Sequence, residues 1–197
     1  MKKNLVVLIL IMLLGHNANA QQEYRNDIND FVVNEMKLWM KNDIVLKTLR
    51  KQNEKHALLS QTDKKILNDT WNGERRKNKK PLMNRVLEND LSKLLRTIKE
   101  DSVGVFTEII IIDAYGVNAG QSMISEDYWQ GGNKKWENTL GSRSYGTYIS
   151  DLGFDYNTEF FQVEVAFIVT EDDEPIGVIY AGIDVDQIEE WKQKIQE

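Results

Sequence analysis

Residues 108–136 read EIIIIDAYGVNAGQSMISEDYWQGGNKKW, and the parsing of this stretch decides the fold. Glu108 to Ile112 is a β-branched apolar run that favours a strand. Asp113, Ala114, Tyr115 and Gly116 carry turn chemistry, and Val117 to Met123 returns as a second strand. The hairpin empties into Ser125 to Trp136, a loop crowded with rings and polar groups. Strands fix a frame and a loop of this kind supplies rings and hydrogen-bonding groups, so the stretch reads as a pocket for a small molecule.

Upstream of the hairpin the period is helical. Apolar residues from Tyr24 to Arg50 (Ile28, Phe31, Val32, Leu38, Trp39, Val45, Leu46, Leu49) fall at helix spacing without Pro or Gly, which predicts one long helix loosened near Asn42 and Asp43. Ser60 to Asp63 offer caps for a helix over Lys64 to Trp71, with Gly73 as its end. Arg75, Arg76, Lys77, Lys79 and Lys80 form a basic loop, read either as an anchor for an acidic partner or as a solvated connection. Pro81 suits a first helical position, and Leu82 to Ile98 continue at spacings of three and four to about Lys99.

Downstream, Tyr145 to Ser150, Phe160 to Val169 and Ile176 to Val185 read as strands, the last two joined by the acidic turn Glu171 to Glu174. A short helix over Lys134 to Thr139 and a closing helix over Asp186 to Ile195 complete the pattern. Helices followed by a run of antiparallel strands indicate an α+β fold with about five strands and helices on one face. The expected organisation is residues 21–103 helical, 104–186 sheet and pocket loop, and 187–197 C-terminal helix, all in one domain.

The first twenty residues stand apart. Lys2 and Lys3, the apolar run Leu5 to Leu14 and Ala18-Asn19-Ala20 match a secretory signal peptide cut after Ala20. The run is half the roughly 20 residues that a spanning helix needs. Without Lys2 and Lys3 the formal charge moves from −6 to −8, which disfavours nucleic acid and anionic lipid as partners. Cysteine is absent, so thiolate metal sites and thiol nucleophiles are excluded, and an exported chain of this kind suits a bacterial periplasm. His56 is the single imidazole after Ala20, in a charged stretch that reads as solvated helix surface. A Ser-His-Asp triad or a His-rich zinc site is accordingly not expected.

Several residues together resemble the extracytoplasmic PAS-like sensor domains called Cache or PDC domains. They are Gln52-Asn53, Ile66 to Trp71, Leu94-Leu95-Arg96, Glu108, Ile112-Asp113, Gly116-Val117-Asn118, Ser125 to Gly131, Trp136 and Ile176-Gly177-Val178. The resemblance spans about Tyr24 to Asp186. It implies a central antiparallel sheet of five to six strands beside a long N-terminal helix, and a small ligand held on the concave face beneath Ser125 to Trp136. Most members of that family are the outer parts of membrane chemoreceptors, histidine kinases or cyclases. This sequence shows no second apolar span and no output domain, and no Arg precedes Tyr128 and Trp129 as it does in the amino-acid-binding members.

Tyr128, Trp129 and Trp136 can wall a ligand, or they can pin the loop to the domain. Asp127 can counter an amine or bond nearby amides. Asp151 and Asp155 edge the pocket in the resemblance, and capping a turn is the competing role. Ser122, Tyr148 and Tyr180 lie on strands whose alternation sends half of all side chains to the pocket face. No spacing singles out a catalytic carboxylate pair, so no enzymatic activity is expected, and neither is a metal or cofactor. The expected function is a periplasmic domain that binds an amine, amino acid or carboxylate and relays occupancy to a membrane receptor or kinase. An exported assembly protein without a ligand, dimerising through the long helix, is the alternative.

Overall fold

A computed structural model describes residues 24–196. Residues 1–20, expected from the sequence to be a signal peptide, lie outside the described residues. The chain divides after Met36 into two compact units. The first is helical and contains a π-helical turn, Ile28–Val32, that runs into α1 (Val33–Trp39).

The second unit is α+β. Helices α2 (Asp43–His56), α3 (Gln61–Glu74), α4 (Pro81–Leu87) and α5 (Asp90–Asp101) precede a PAS-like antiparallel sheet. Its strands are β1 (Phe106–Asp113), β2 (Asn118–Gln121), β3 (Tyr148–Ile149), β4 (Gly153–Asp155), β5 (Phe160–Glu171) and β6 (Glu174–Ile183). The order is β2-β1-β6-β5-β3, and β4 also pairs with β5. The short α6 (Lys134–Glu137) sits in the loop after β2, and α7 (Ile188–Gln196) closes the chain. Among the described residues no helix is long and apolar enough to cross a membrane.

Three expectations about the helices are corrected. The single long first helix is broken before Asp43, because Asn42 takes extended backbone (ψ 126°) and its side chain accepts the Ile44 N–H, capping a new helix. The helix expected from Pro81 to Lys99 is likewise two, since Asn89 (ψ 162°) caps α5 by accepting from Ser92 N at 2.7 Å. Both asparagines give the backbone a local alternative to the helical bond, which apolar periodicity does not register. Gly73 lies inside the last turn of α3 rather than ending it. Ser60 does cap α3, in a reciprocal box with Asp63.

β1 is buried along its whole length, which is why its pattern is continuous rather than alternating. One face of the sheet carries α2 and α5. Leu91 of α5 packs so closely on Gly120 of β2 that a Cβ there would collide with it. At one end Phe106 meets Trp39 and Trp191 edge-on, with ring centroids 5.0 Å apart in each pair. At the other end Gly116 (φ +83°) makes the tight turn of the β1–β2 hairpin. His56 is buried here rather than solvated, with Nδ1 2.7 Å from Asp113 Oδ2. It lies four residues after Gln52, so both project from one face of α2 onto the same carboxylate.

Candidate functional site

The opposite face of the sheet is open to the loop. Its centre is the apolar cluster Ile110, Ile112, Ala166, Val178 and Tyr180, with Trp136, Leu140 and Tyr148 packed against it. Towards one end the character changes. Glu108 of β1 and Glu164 of β5 are both in register with Gly182 of β6, so two carboxylates flank a position without a side chain. Tyr180, two residues earlier on β6, brings its hydroxyl to 2.9 Å from Glu108 Oε1 and 3.2 Å from Glu164 Oε1. One phenol has one proton to donate, so it cannot satisfy two carboxylates at once.

Glu108 and Glu164 line a cavity of about 230 Å³ together with Asp155, Asp127, Glu126, Ser125, Gln130, Asn133, Asn157, Lys134 and Lys135, with Tyr180 buried behind them. Five carboxylates face two lysines. Burial pushes Glu108 above the ordinary carboxylate value, an effect opposed by the Lys135 charge and the Tyr180 hydrogen bond and reinforced by Asp155 and Glu164. Burial, with the charges of Glu108 and Glu164, pushes Tyr180 well above 10, so it remains a donor at physiological pH. Lys135 Nζ stands 3.9 Å from the centroid of the Tyr180 ring. The cavity is therefore acidic, with its sheet-side groups Glu108 and Tyr180 buried, and suited to a cation that brings N–H donors.

The loop that roofs it is fixed by amides. Asn68 of α3 accepts from Tyr128 N (2.8 Å) and Trp129 N (3.0 Å) and donates to Asp127 Oδ1 (2.9 Å). Asn118 of β2 donates to Gln121 Oε1, Ser125 Oγ and the Asp127 carbonyl, and accepts from Gln130 Nε2. The Trp71 indole donates to the Ser125 carbonyl at 3.0 Å. The chain's own side chains therefore hold the backbone of the loop in place.

Comparison with solved structures finds distant likenesses. The likeness is to extracytoplasmic sensor domains. The extracellular domain of a protein assigned as a histidine kinase matches at 15% identity and TM-score 0.46, over 92% of this chain and 60% of that one. The sensor domain of the Vibrio cholerae histidine kinase DctB matches at 13% and 0.38, over 90% and 61%. The sensory domain of the Campylobacter jejuni chemoreceptor Tlp3, with isoleucine bound, matches at 12% and 0.41, over 81% and 64%. The chain thus spans about three fifths of the length of these structures. No family profile and no curated protein matches the chain.

Of the residues singled out from the sequence, Asp127 and Asp155 line the acidic cavity. Asp155 also caps its own turn, accepting from Asn157 N, Thr158 N and Thr158 Oγ1, all on Oδ1. Tyr128 is buried and stacks on Trp71, with centroids 5.3 Å apart at 14°, inside the cluster of Leu82, Met83 and Val86. Burial and the Asp113 charge, against Arg85, push its hydroxyl up to about 12. Trp129 and Trp136 border a separate groove of about 680 Å³ on the other side of the loop, with Tyr115 and Lys64. Ser122 is buried and accepts the Ile109 N–H at 2.8 Å. Tyr148 is half-buried beside Ala166, and burial with the Glu164 charge raises its hydroxyl. Asp151 is exposed and outside the cavity wall.

Sequence alone assigns no binding role to Glu108 or Glu164. A signal existed for the first: a carboxylate at the head of a four-isoleucine strand is costly to bury and needs a reason to be there.

Proposed function

We propose that this protein is a sensor-type binding domain, of the Cache kind that its sequence resembles, whose cavity between β1, β5, β6 and the 125–136 loop takes a small metabolite bearing an ammonium group. The observation that carries the reading is the buried Glu108, joined through one phenolic proton to Glu164, in a cavity walled by three further carboxylates. A ligand ammonium supplies the donors that Tyr180 cannot, and neutralises charge that the sheet holds out of water. The same reading makes the domain non-catalytic and treats residues 21–197 as one functional domain, exported to the periplasm. Occupancy is relayed to a membrane receptor or kinase, and pairing of two copies through their N-terminal helices is one route for it.

The experiment is a thermal-shift panel of amines, amino acids and dicarboxylates at millimolar concentration. A ligand that binds the native state alone raises the melting temperature. Amines should raise it and dicarboxylates should leave it unchanged. A panel in which dicarboxylates stabilise and amines do not would overturn the reading.

A further inference from the structure

The acidic cavity already holds a cation of the chain's own. Lys135 is half-buried in its wall, with its ammonium 3.9 Å from the Tyr180 ring centroid and its charge acting on Glu108. Among the described residues that ammonium donates no hydrogen bond and forms no ion pair. A structural lysine serving to neutralise buried acids closes onto a carboxylate at hydrogen-bond distance. This one is held by a π face and by the field of the acids, an attachment a competing cation can replace.

We infer that Lys135 is a tethered competitor: its ammonium occupies the position over Tyr180 that the ligand's cationic group takes, and so determines which cations bind and at what concentration. The inference rests on the ammonium reading of the cavity and deepens it. A side chain on a short tether presents its charge at an effective concentration in the millimolar range or above, so monocations of ordinary affinity are held off. A ligand with two ammonium groups gains on the rival, because a single lysine displaces one group and not the other. Lys135 and Trp136 are neighbours on α6, and Trp136 packs on the apolar half of the same sheet face while bordering the outer groove. Displacement of Lys135 therefore acts on the element that carries Trp136, and occupancy of the cavity becomes a change on the outer side of the loop.

The test is calorimetric titration of 1,4-diaminobutane and of butylammonium into the purified wild type, Lys135→Met, Lys135→Arg and Lys65→Met. Lys65 is exposed on α3 and outside the cavity wall, so its variant measures what loss of one positive charge does by itself. Wild-type affinity is the intrinsic affinity scaled by the fraction of molecules whose site is free, so Lys135→Met should bind both probes roughly tenfold more tightly. The gain should be larger for butylammonium. Lys135→Arg should stay near the wild type and Lys65→Met should change affinity by no more than about twofold. Far-ultraviolet dichroism of each variant reports whether it is folded, and Lys135→Arg keeps the comparison intact if the Met variant is not. An Arg variant that gains as much affinity as Lys135→Met, or a Met variant that binds equally or less tightly than the wild type, overturns the competitor while leaving the ammonium site standing. Absence of binding of either probe to every variant overturns the site itself.

Discussion

His56 Nδ1 lies 2.7 Å from Asp113 Oδ2, with both side chains buried at the end of β1. The same carboxylate accepts from Gln52 Nε2 through Oδ2 and from Tyr115 N and Val117 N through Oδ1. Asp113 thus ties α2 to the hairpin turn that launches the pocket loop. Asp113→Ala leaves four donors without their acceptor and should cost at least about 3 kcal/mol in urea unfolding. Asp113→Asn keeps an acceptor for the two backbone groups and should cost less. Equal stability of Asp113→Ala and wild type would remove this tie from the account.

Tyr128 belongs to the core under the loop and not to the cavity. Tyr128→Ala should therefore cost about 3–5 kcal/mol, the range for emptying a buried aromatic site. Tyr128→Phe keeps the stack on Trp71 and should leave amine affinity within about twofold of wild type. A large loss of affinity in a folded Tyr128→Phe protein would place its hydroxyl against the ligand after all.

How far the sequence reveals the molecule differs between frame and site. The isoleucine run with Asp113 and Gly116 is enough for β1 and the hairpin, because burial on both faces and a positive-φ turn leave direct marks in residue type. Breaks at Asn42 and Asn89 are less visible, since a single capping side chain interrupts an otherwise unbroken apolar period. β4 was not anticipated, being three residues long and paired only with β5. The cavity depends on cross-strand register: Glu108 and Glu164 are 56 positions apart and meet only because both lie beside Gly182. Aromatic residues in the loop suggest a ligand wall from sequence, but packing turns Tyr128 inward and leaves Trp129 and Trp136 bordering the other groove.

Asn42 and Asn89 make the same local prediction. Replacing either by Ala removes the acceptor for an otherwise unpaired first-turn N–H and should cost about 1 kcal/mol. Asn89 also donates to the Ala119 carbonyl at 2.9 Å, so Asn89→Ala should be the more damaging. Chemical denaturation of the two variants checks the order.

Glu108 gives a pH signature. Burial holds its pKa above the ordinary value of 4.5, so the folded protein binds this proton more tightly than the unfolded chain does. The stability it contributes is full below pH 4.5 and is lost as pH rises through the raised value. Glu108→Gln cannot ionise and should lose none of it, so the melting temperature of the wild type should fall relative to that variant between pH 4.5 and 7. An ammonium ligand favours the ionised form, and its binding below the raised value should release a proton. Calorimetry in buffers of different ionisation enthalpy measures that release. Parallel melting curves for the two proteins across this range would contradict the assignment.

The most direct measurement is the affinity of 1,4-diaminobutane for the wild type and for the Glu108→Gln, Glu164→Gln double variant, by titration calorimetry at pH 7. The carboxylate cavity predicts saturable binding to the wild type and a loss of about 100-fold or more in the double variant, which stays folded. Equal affinity in the two proteins, or no binding to the wild type, would contradict the account.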